Sequence, residues 1–326
     1  MLRSRIVGTG HYLPEKVLTN FDLEHMMETT DEWIRQRTGI FQRHVAADDE
    51  FVSDLASHAA KRAIADSGID VGEIDFIICA TLTPDFLMPS AACLIQDKIG
   101  ACNAGACDLS AACSGFVYAL QMADALIRAG VHKTILIIGA EEMTARLDWT
   151  KRDTAVLFGD GAGAVVVRGE DGERGVLTTY VGSDGSAADI LSIPVGGSRY
   201  VLTPENINEL DRGIRMNGRE LYKRAVVAFE EATVRALEGA GISAADLDLF
   251  IPHQANKRII ESATDRIGLD REKIFLNLER VANTSAASIP IALDQARAEG
   301  RVKDNSLVLF AAFGAGLTWA SAVVRW

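Results

Sequence analysis

The sequence predicts an α/β protein made of two duplicated βα halves, residues 1–172 and 173–326, stacked in alternating helix and sheet layers. Three observations predict it. Apolar residues make up 48% and charged residues 24% of the 326, a globular balance with ample core material. Short apolar runs alternate with amphipathic stretches along the whole length. And one segment recurs. Arg62-Ala63-Ile64-Ala65-Asp66-Ser67-Gly68-Ile69 resembles Arg235-Ala236-Leu237-Glu238-Gly239-Ala240-Gly241-Ile242, and the match continues over Glu73 to Ile78 and Asp246 to Ile251, always 173 residues apart. Ser110-Ala111-Ala112-Cys113 then faces Ser285-Ala286-Ala287-Ser288 at a spacing of 175. A nearly constant spacing over helix, strand and turn indicates a duplicated unit, and a site at the junction draws residues from both copies.

Ile6 to Gly10 reads as a strand entering a turn. Its G-x-G lacks a third glycine and is followed by Pro14, so a dinucleotide fingerprint is weak. A short helix is expected over Asn20 to Met27, capped by Asn20, and another from Thr30 or Asp31. Trp33 and Arg37 stand four apart on it and share a face. Val52 to Ser67 is an amphipathic helix stopped by Gly68. Ile74 to Ala80, Ala106 to Leu109 and Thr134 to Ile138 read as strands, with helices over Ser90 to Ile99 and from Cys113 to Gly130. Ala155 to Phe158 and Ala164 to Val167 read as strands around a tight glycine hairpin at Gly159 to Gly163. Gly172 to Ser198, rich in Gly and Ser, is the expected junction. Helices follow at Gly218 to Leu237, Asn256 to Ile267 and Leu293 to Glu299, and a strand at Leu247 to Ile251. The charge-free run from Ser306 to Val324 has the length of a membrane span. Gly314, Gly316, Thr318 and Ser321 divide it, and two buried strands explain it better.

A net charge of −12 excludes a global basic field, so nucleic acid and membrane surfaces are not expected partners. The five cysteines (Cys79, Cys93, Cys102, Cys107, Cys113) form no C-x-x-C pair. Neither structural zinc nor a disulfide framework is expected, nor any other metal. The N-terminus has no apolar signal segment, and a cytoplasmic location fits a reducing compartment.

The chemistry centres on Asp108 to Phe116. Leu109 to Ala123 carries no charge, so the helix it forms must be buried. Cys113 stands at its start among small residues, where the helix dipole and unpaired N–H groups favour thiolate. The plain alternative is a cysteine packed as a small hydrophobe. Downstream, Pro252-His253-Gln254-Ala255-Asn256 follows a strand, at the sheet end where α/β proteins bind ligands. Asn283 precedes the repeat of the cysteine stretch, so it belongs at the same end. Phe313-Gly314-Ala315-Gly316 can aim a backbone N–H as an oxyanion donor. For His253 the alternative is a hydrogen-bonded core histidine, and for Asn283 a turn cap. Together a cysteine, a histidine, an asparagine and a glycine turn imply acyl chemistry on a thioester. The G-x-S-x-G elbow of α/β-hydrolases is absent.

These motifs, with Thr30-Asp31-Glu32-Trp33-Ile34, Arg37-Thr38-Gly39-Ile40, Phe158 to Ala164 and Asn283-Thr284-Ser285, run end to end. Through them the chain resembles the thiolase-fold condensing enzymes, specifically the β-ketoacyl-acyl-carrier-protein synthase III family. The resemblance implies a thiolase-like fold and a decarboxylative Claisen condensation that initiates fatty acid synthesis. Cys113 would take the acyl group from acyl-CoA, with acetyl-CoA the first-choice primer. Malonyl-acyl carrier protein would then lose carbon dioxide, and its enolate would attack the acyl-cysteine. His253 and Asn283 would stabilise the enolate, and the N–H groups of Cys113 and Ala315 would form the oxyanion hole. Thr29, Trp33, Arg37, Arg152, Asn256 and the backbone near Tyr222 would bind CoA. No cofactor is implied beyond CoA as substrate and the carrier's own phosphopantetheine. A homodimer is implied, with Met88 reaching the partner's acyl pocket where an aromatic residue is familiar.

Arg219 and Lys223 share one helix face, and Lys257 and Arg258 follow His253 closely. These four form the expected docking rim for an acidic carrier. Asp265 stands where the family has a lysine, and Ala315 where it has a glycine. Three other readings stay open. A thiolase needs a second cysteine in the C-terminal glycine turn, and Phe313 to Gly316 has none. A related Cys-His-Asn enzyme of secondary metabolism, polyketide or quinolone type, and a non-catalytic acyl-CoA scaffold complete the set.

Overall fold

The computed structural model describes residues 1–206 and 213–326. Strand β1 (Leu2–Tyr12) opens the chain, and β2 (Lys16–Thr19) pairs with β3 (Gln42–Val45) around helices α1 (Asn20–Glu24) and α2 (Asp31–Thr38). Thr30 caps α2 as expected, but α1 is capped by Thr19 and ends at Glu24, not Met27. Asn20 is unavailable as a cap because it is spent inside. Its amide donates to Asp31 Oδ1 and Ile40 O, and its oxygen accepts from the buried Arg43. Helix α3 (Val52–Ser67) has the expected bounds, with Gly68 in the left-handed conformation that ends it. Then come β4 (Phe76–Ala80), α4 (Ala91–Ile99) capped by Ser90, β5 (Gly105–Leu109), α5 (Gly115–Arg128) and β6 (Thr134–Glu141).

Beyond β6 the sequence reading needs two corrections. Ala155 closes a short helix, α6 (Arg152–Ala155), and no strand forms over 155–158. The glycine run makes no hairpin: β7 (Gly161–Asp171) begins inside it and pairs antiparallel with β1 on one side and β6 on the other. Its glycines serve packing, since a Cβ on Gly163 would lie 2.5 Å from the Ile291 nitrogen. The expected junction is mostly strand as well. There β8 (Gly175–Ser183) lies antiparallel to the last strand, followed by β9 (Leu191–Ser192), which pairs with β10 (Arg215–Met216).

The chain continues through α7 (Gly218–Ala240), β11 (Leu249–Pro252), α8 (Lys257–Ile267), α9 (Leu278–Val281) and α10 (Ser288–Ala298), which starts five residues before the expected Leu293. Strands β12 (Leu307–Gly314) and β13 (Thr318–Arg325) are the two predicted from the charge-free run, paired antiparallel. Among the described residues no helix is long and apolar enough to cross a membrane.

Two sheets organise these elements, in the orders β1-β7-β6-β4-β5 and β8-β13-β12-β11. Alternate residues of each strand face opposite layers. Ile135 and Ile137 of β6, and Val308 and Phe310 of β12, point into a central layer made by α5 and α10. Leu136 and Ile138 point outward to α3 and α4, and Leu309 and Ala311 to α7 and α8. The result is helix, sheet, helix, sheet, helix. Helix α5 has no polar face on its first turns because both sheets cover it. Burying a side chain such as Phe116, fully enclosed there, contributes about 2–3 kcal/mol.

The repeat is carried further by the structure, with one change of register. The starts of β1 and β8, β4 and β11, α5 and α10, and β6 and β12 each stand 173 residues apart. So do the two non-glycine residues with positive φ that open the turns before α5 and α10, Ala112 at 47° and Ser285 at 50°. Cys113 therefore corresponds to Ala286, not to Ser288. The spacing of 175 aligned identical letters rather than equivalent positions.

Candidate active site

The 3-10 turn Ala112–Ser114 sets Cys113 just ahead of α5, at the C-terminal end of the first sheet. A non-glycine residue at positive φ costs about 1–3 kcal/mol and persists only where packing over-determines it. Here the packing comes from the other half. A Cβ on Gly314, at the end of β12, would lie 2.7 Å from the Cys113 nitrogen. The backbone of the nucleophile's turn thus rests directly on the second half's last strand but one.

Burial decides the state of the thiol. It pushes Cys113 up to about 12, the Ser285 hydrogen bond opposes this, and the Glu141 carboxylate adds to the rise. The thiolate expected from the helix start is therefore not the resting form. Cys113 lies in a 3-10 turn before α5, 7% exposed, where desolvation outweighs the dipole.

His253 follows β11, fully enclosed, its backbone N–H donating to Ala311 O at 2.8 Å. Burial lowers it to about 3, so the ring is neutral. Its Nδ1 meets Ser288 Oγ at 2.6 Å. Ser288 Oγ already accepts the Gln254 N–H at 3.4 Å, so its own proton goes to Nδ1. Nε2 then carries the ring proton as a donor. Asn283 is pinned by its backbone to Leu157 and Gly159, and its Oδ1 accepts the Ser285 N–H at 2.8 Å. That leaves its Nδ2 amide as the group to offer.

Cys113, His253 and Asn283 line one cavity of about 810 Å³. Trp33, Arg37, Arg219, Tyr222, Lys223, Asn256 and Arg258 line it too. Cys113 also lines a second chamber of about 360 Å³, walled by Leu82, Met143, Ile193 and Ile214 and shared with Ala315. The cysteine is thus the neck between a long outer cavity and an apolar inner one. A thioester that threads the outer cavity meets the sulfur with its acyl part entering the inner chamber. Ala315 keeps a negative φ, because Gly316 takes the left-handed position at 137°, so its N–H survives the change from glycine.

The other expected residues divide. Arg152 lies against the Trp33 ring at 4.7 Å, with Arg37 at 6.0 Å, so an adenine between Trp33 and Arg152 requires the arginine to swing aside. Thr29 lies outside the cavity lining, its hydroxyl buried without a partner. Asn256 caps α8 through Oδ1 and donates from Nδ2 to Arg37 O at 3.0 Å, so its amide is committed to the protein. Tyr222 bonds Ser262 through its hydroxyl at 2.6 Å. Lys257 lines a neighbouring groove with Phe41 rather than the cavity itself. Asp265 is taken up by Arg271 at 3.0 Å. Met88 stands 86% exposed on the loop after β4 and lines neither chamber of its own protomer.

Sequence reasoning missed Glu141, Ser285 and Ser288. A carboxylate ending the apolar strand β6 was the available signal for the first. The strand's apolar residues drew attention away from it. Among the described residues no group of three or more His, Cys, Asp or Glu side chains is placed to hold a metal.

Known proteins resemble this chain over its length. A family model described as 3-oxoacyl-[acyl-carrier-protein (ACP)] synthase III matches residues 107–185, and the model of that enzyme's C-terminal part matches residues 237–326. A beta-ketoacyl-[acyl-carrier-protein] synthase III of Caldanaerobacter subterraneus subsp. tengcongensis is 48% identical over 98% of this chain and 97% of its own. The crystal structure of 3-oxoacyl-[acyl-carrier-protein] synthase III from Aquifex aeolicus VF5 is 45% identical, covers 99% of this chain and 100% of its own, and superposes with a TM-score of 0.92. The priming beta-ketosynthase from the R1128 polyketide biosynthetic pathway is 35% identical over 99% of this chain and 96% of its own, with a TM-score of 0.94.

Proposed function

This chain belongs to the 3-oxoacyl-[acyl-carrier-protein] synthase III family, and we propose that it condenses an acyl-CoA primer with malonyl-acyl carrier protein, the initiating step of fatty acid synthesis. The observation that carries the residue roles is the position of Cys113 at the neck of two chambers, with the donor edges of His253 and Asn283 on the outer one. Cys113 sulfur attacks the acyl-CoA carbonyl, and the N–H groups of Cys113 and Ala315 hold the oxyanion. CoA leaves, taking a proton from water at the mouth. Malonyl-carrier enters by the same route and loses carbon dioxide. His253 Nε2–H and Asn283 Nδ2–H donate to the thioester oxygen as enolate charge grows there. A neutral donor pair suits this, since neither residue has to lose a proton. The enolate carbon attacks the acyl-cysteine and releases the β-ketoacyl-carrier. Acetyl-CoA is the primer to try first.

Trp33, Arg37, Arg152, Thr29, Asn256 and the backbone near Tyr222 receive the nucleotide end of CoA. Arg219, Lys223, Lys257 and Arg258 receive the carrier at the mouth. No resident metal or cofactor enters this scheme. We further place the enzyme in the cytoplasm as a homodimer. Phe86, Leu87 and Met88 on one loop, exposed by 56%, 91% and 86%, support an apolar contact with a second copy. Intact-mass spectrometry after mixing with acetyl-CoA tests the reading. An acetyl mass on Cys113 is expected, and a chain that gains none is a scaffold.

A further inference from the structure

Behind Cys113 lies a buried carboxylate that the scheme above does not use. Glu141, fully enclosed at the end of β6, receives four donors. Its Oε2 takes Thr83 Oγ1 at 2.7 Å, Leu82 N at 3.1 Å and Thr81 Oγ1 at 3.2 Å. Its Oε1 takes the Ser285 hydroxyl at 2.9 Å. That hydroxyl also hydrogen-bonds the Cys113 thiol. A continuous chain therefore runs from sulfur to hydroxyl to carboxylate, across both halves of the molecule.

We propose that Glu141, acting through the Ser285 hydroxyl, accepts the proton of Cys113 during acylation and returns it during condensation. A hydroxyl has one proton. While it is donated to Glu141 Oε1, the oxygen presents a lone pair to the thiol. The S–H bond breaks as its proton passes to Ser285 Oγ, and the original Ser285 proton passes to Oε1. Thiolate, hydroxyl and neutral carboxyl result, and the thiolate attacks the thioester. When the enolate later displaces the cysteine sulfur, the same two protons move back. The buried site holds one negative charge before and after, so no new charge is created in a low-dielectric interior. If His253 took the proton, a cation and an anion would appear there together. Burial already holds that ring neutral, to about 3, and it lifts Glu141 to about 7, within reach of a proton at neutral pH. The other titratable group facing the pair is Cys79 on β4, whose thiol burial raises well above its ordinary value, with Asp108, Glu141 and Asp85 adding to the rise.

This rests on Cys113 being the nucleophile, which the acetyl-mass experiment tests separately. Glu141 is a positioning residue in this sense, since it acts through Ser285. The experiment follows the rate of Cys113 alkylation by iodoacetamide from pH 5 to 10 in the full-length protein, with acyl transfer from acetyl-CoA alongside. In Ser285→Ala and Glu141→Gln both rates should fall by about 100-fold at pH 7. Their alkylation should then rise steadily with hydroxide and rejoin the parent at high pH. Ser285→Thr should restore the parent profile, and His253→Gln should keep it. The profile is the readout that a merely structural role does not move. Should Glu141→Gln fail to fold, the Ser285→Ala and Ser285→Thr pair decides. Parent-like profiles in Ser285→Ala, or a profile lost in His253→Gln instead, overturn the proposal.

Discussion

The two halves build the same turn at the same sheet end and fill it with different chemistry. Ala112 and Ser285 take the same left-handed conformation 173 residues apart. The next position is Cys113 in one half and Ala286 in the other. Where the second half has His253 held by Ser288, the first has Ala80 against Gly115, with a Cβ on that glycine only 3.0 Å from Ala80 Cβ. Where the first half ends β6 in Glu141, the second ends β12 in Gly314. Each half also receives the other's turn. Gly139 of β6 lies under Ala286, whose carbonyl oxygen would be 2.3 Å from an added Cβ, and Gly314 of β12 lies under Cys113. The scaffold is symmetric and the functional groups are not. One half supplies the nucleophile and a buried carboxylate, the other supplies neutral donors. A duplicated fold thus surrounds one substrate atom from two sides with groups that no single copy carries.

The largest effect expected is from erasing the asymmetry at the nucleophile. Cys113→Ala should lower acyl transfer from CoA by at least about 10³-fold. Adding Ala286→Cys should not rescue it, because that turn faces Gly139 and has no carboxylate beyond it. A transfer assay on single and double variants checks both.

Next come the donors. His253→Ala and Asn283→Ala should lower malonyl-carrier decarboxylation by about 10²–10³-fold while acetylation of Cys113 stays within about tenfold. Carbon dioxide release and intact mass separate the two steps. A variant that decarboxylates normally but cannot be acylated would break the division of labour.

The glycine pair sharpens the comparison at the backbone. Gly139→Ala and Gly314→Ala each overpack a turn and should cost about 1–3 kcal/mol in urea unfolding. Only Gly314→Ala should also slow acylation beyond its stability cost, since it pushes on the Cys113 nitrogen.

Smaller and opposite in sign are two pH effects. His253 is lowered to about 3, so its contribution is present above pH 6.5 and is lost as the pH falls, at about 1.4 kcal/mol per unit. Glu141 is raised to about 7, so its contribution is present below pH 4.5 and is lost as the pH rises, with a similar slope. Between pH 4.5 and 6.5 the two slopes oppose each other. Glu141→Gln should therefore leave stability rising with pH across this window, and His253→Gln should leave it falling. Denaturant midpoints at pH 5 and pH 6.5 give both signs.

The smallest effect concerns the mouth, where the basic residues Arg219, Lys223 and Arg258 all come from the second half. Arg258→Glu should raise the KM for malonyl-carrier several-fold, about 1 kcal/mol, at low salt and less at physiological ionic strength, where charges are screened beyond about 8 Å. An unchanged salt response moves docking elsewhere.

Much of this was legible in local sequence. Helix α3 is bounded by its apolar period and Gly68, and α2 by Thr30, because caps and periodicity are short-range causes. The charge-free run after Ser306 resolved into two strands for the same reason. Cys113, His253 and Asn283 could be named because each stands in a motif beside a strand or helix end. Other features had no local signal. Gly159 to Gly163 looks like a turn in isolation and is read as strand only once α10 packs against Gly163. Asn20 looks like a cap until Arg43 and Ile40 claim it. The register of the repeat was misjudged by two because letters were matched, whereas the shared positive φ of Ala112 and Ser285 aligns the backbones.

The sequence by itself determined the periodicities, the caps, the duplication and the identity of three reacting side chains, since these depend on neighbours a few residues away or on pattern along the chain. Only the tertiary structure decided the state of those side chains. The helix start argued for a thiolate, and enclosure between two sheets made Cys113 a thiol and His253 a neutral ring. It also decided that Glu141 and Ser285, 144 residues apart, meet behind the sulfur. Desolvation and hydrogen bonding depend on what surrounds a group in space, and here every wall of the site is supplied by a distant part of the chain.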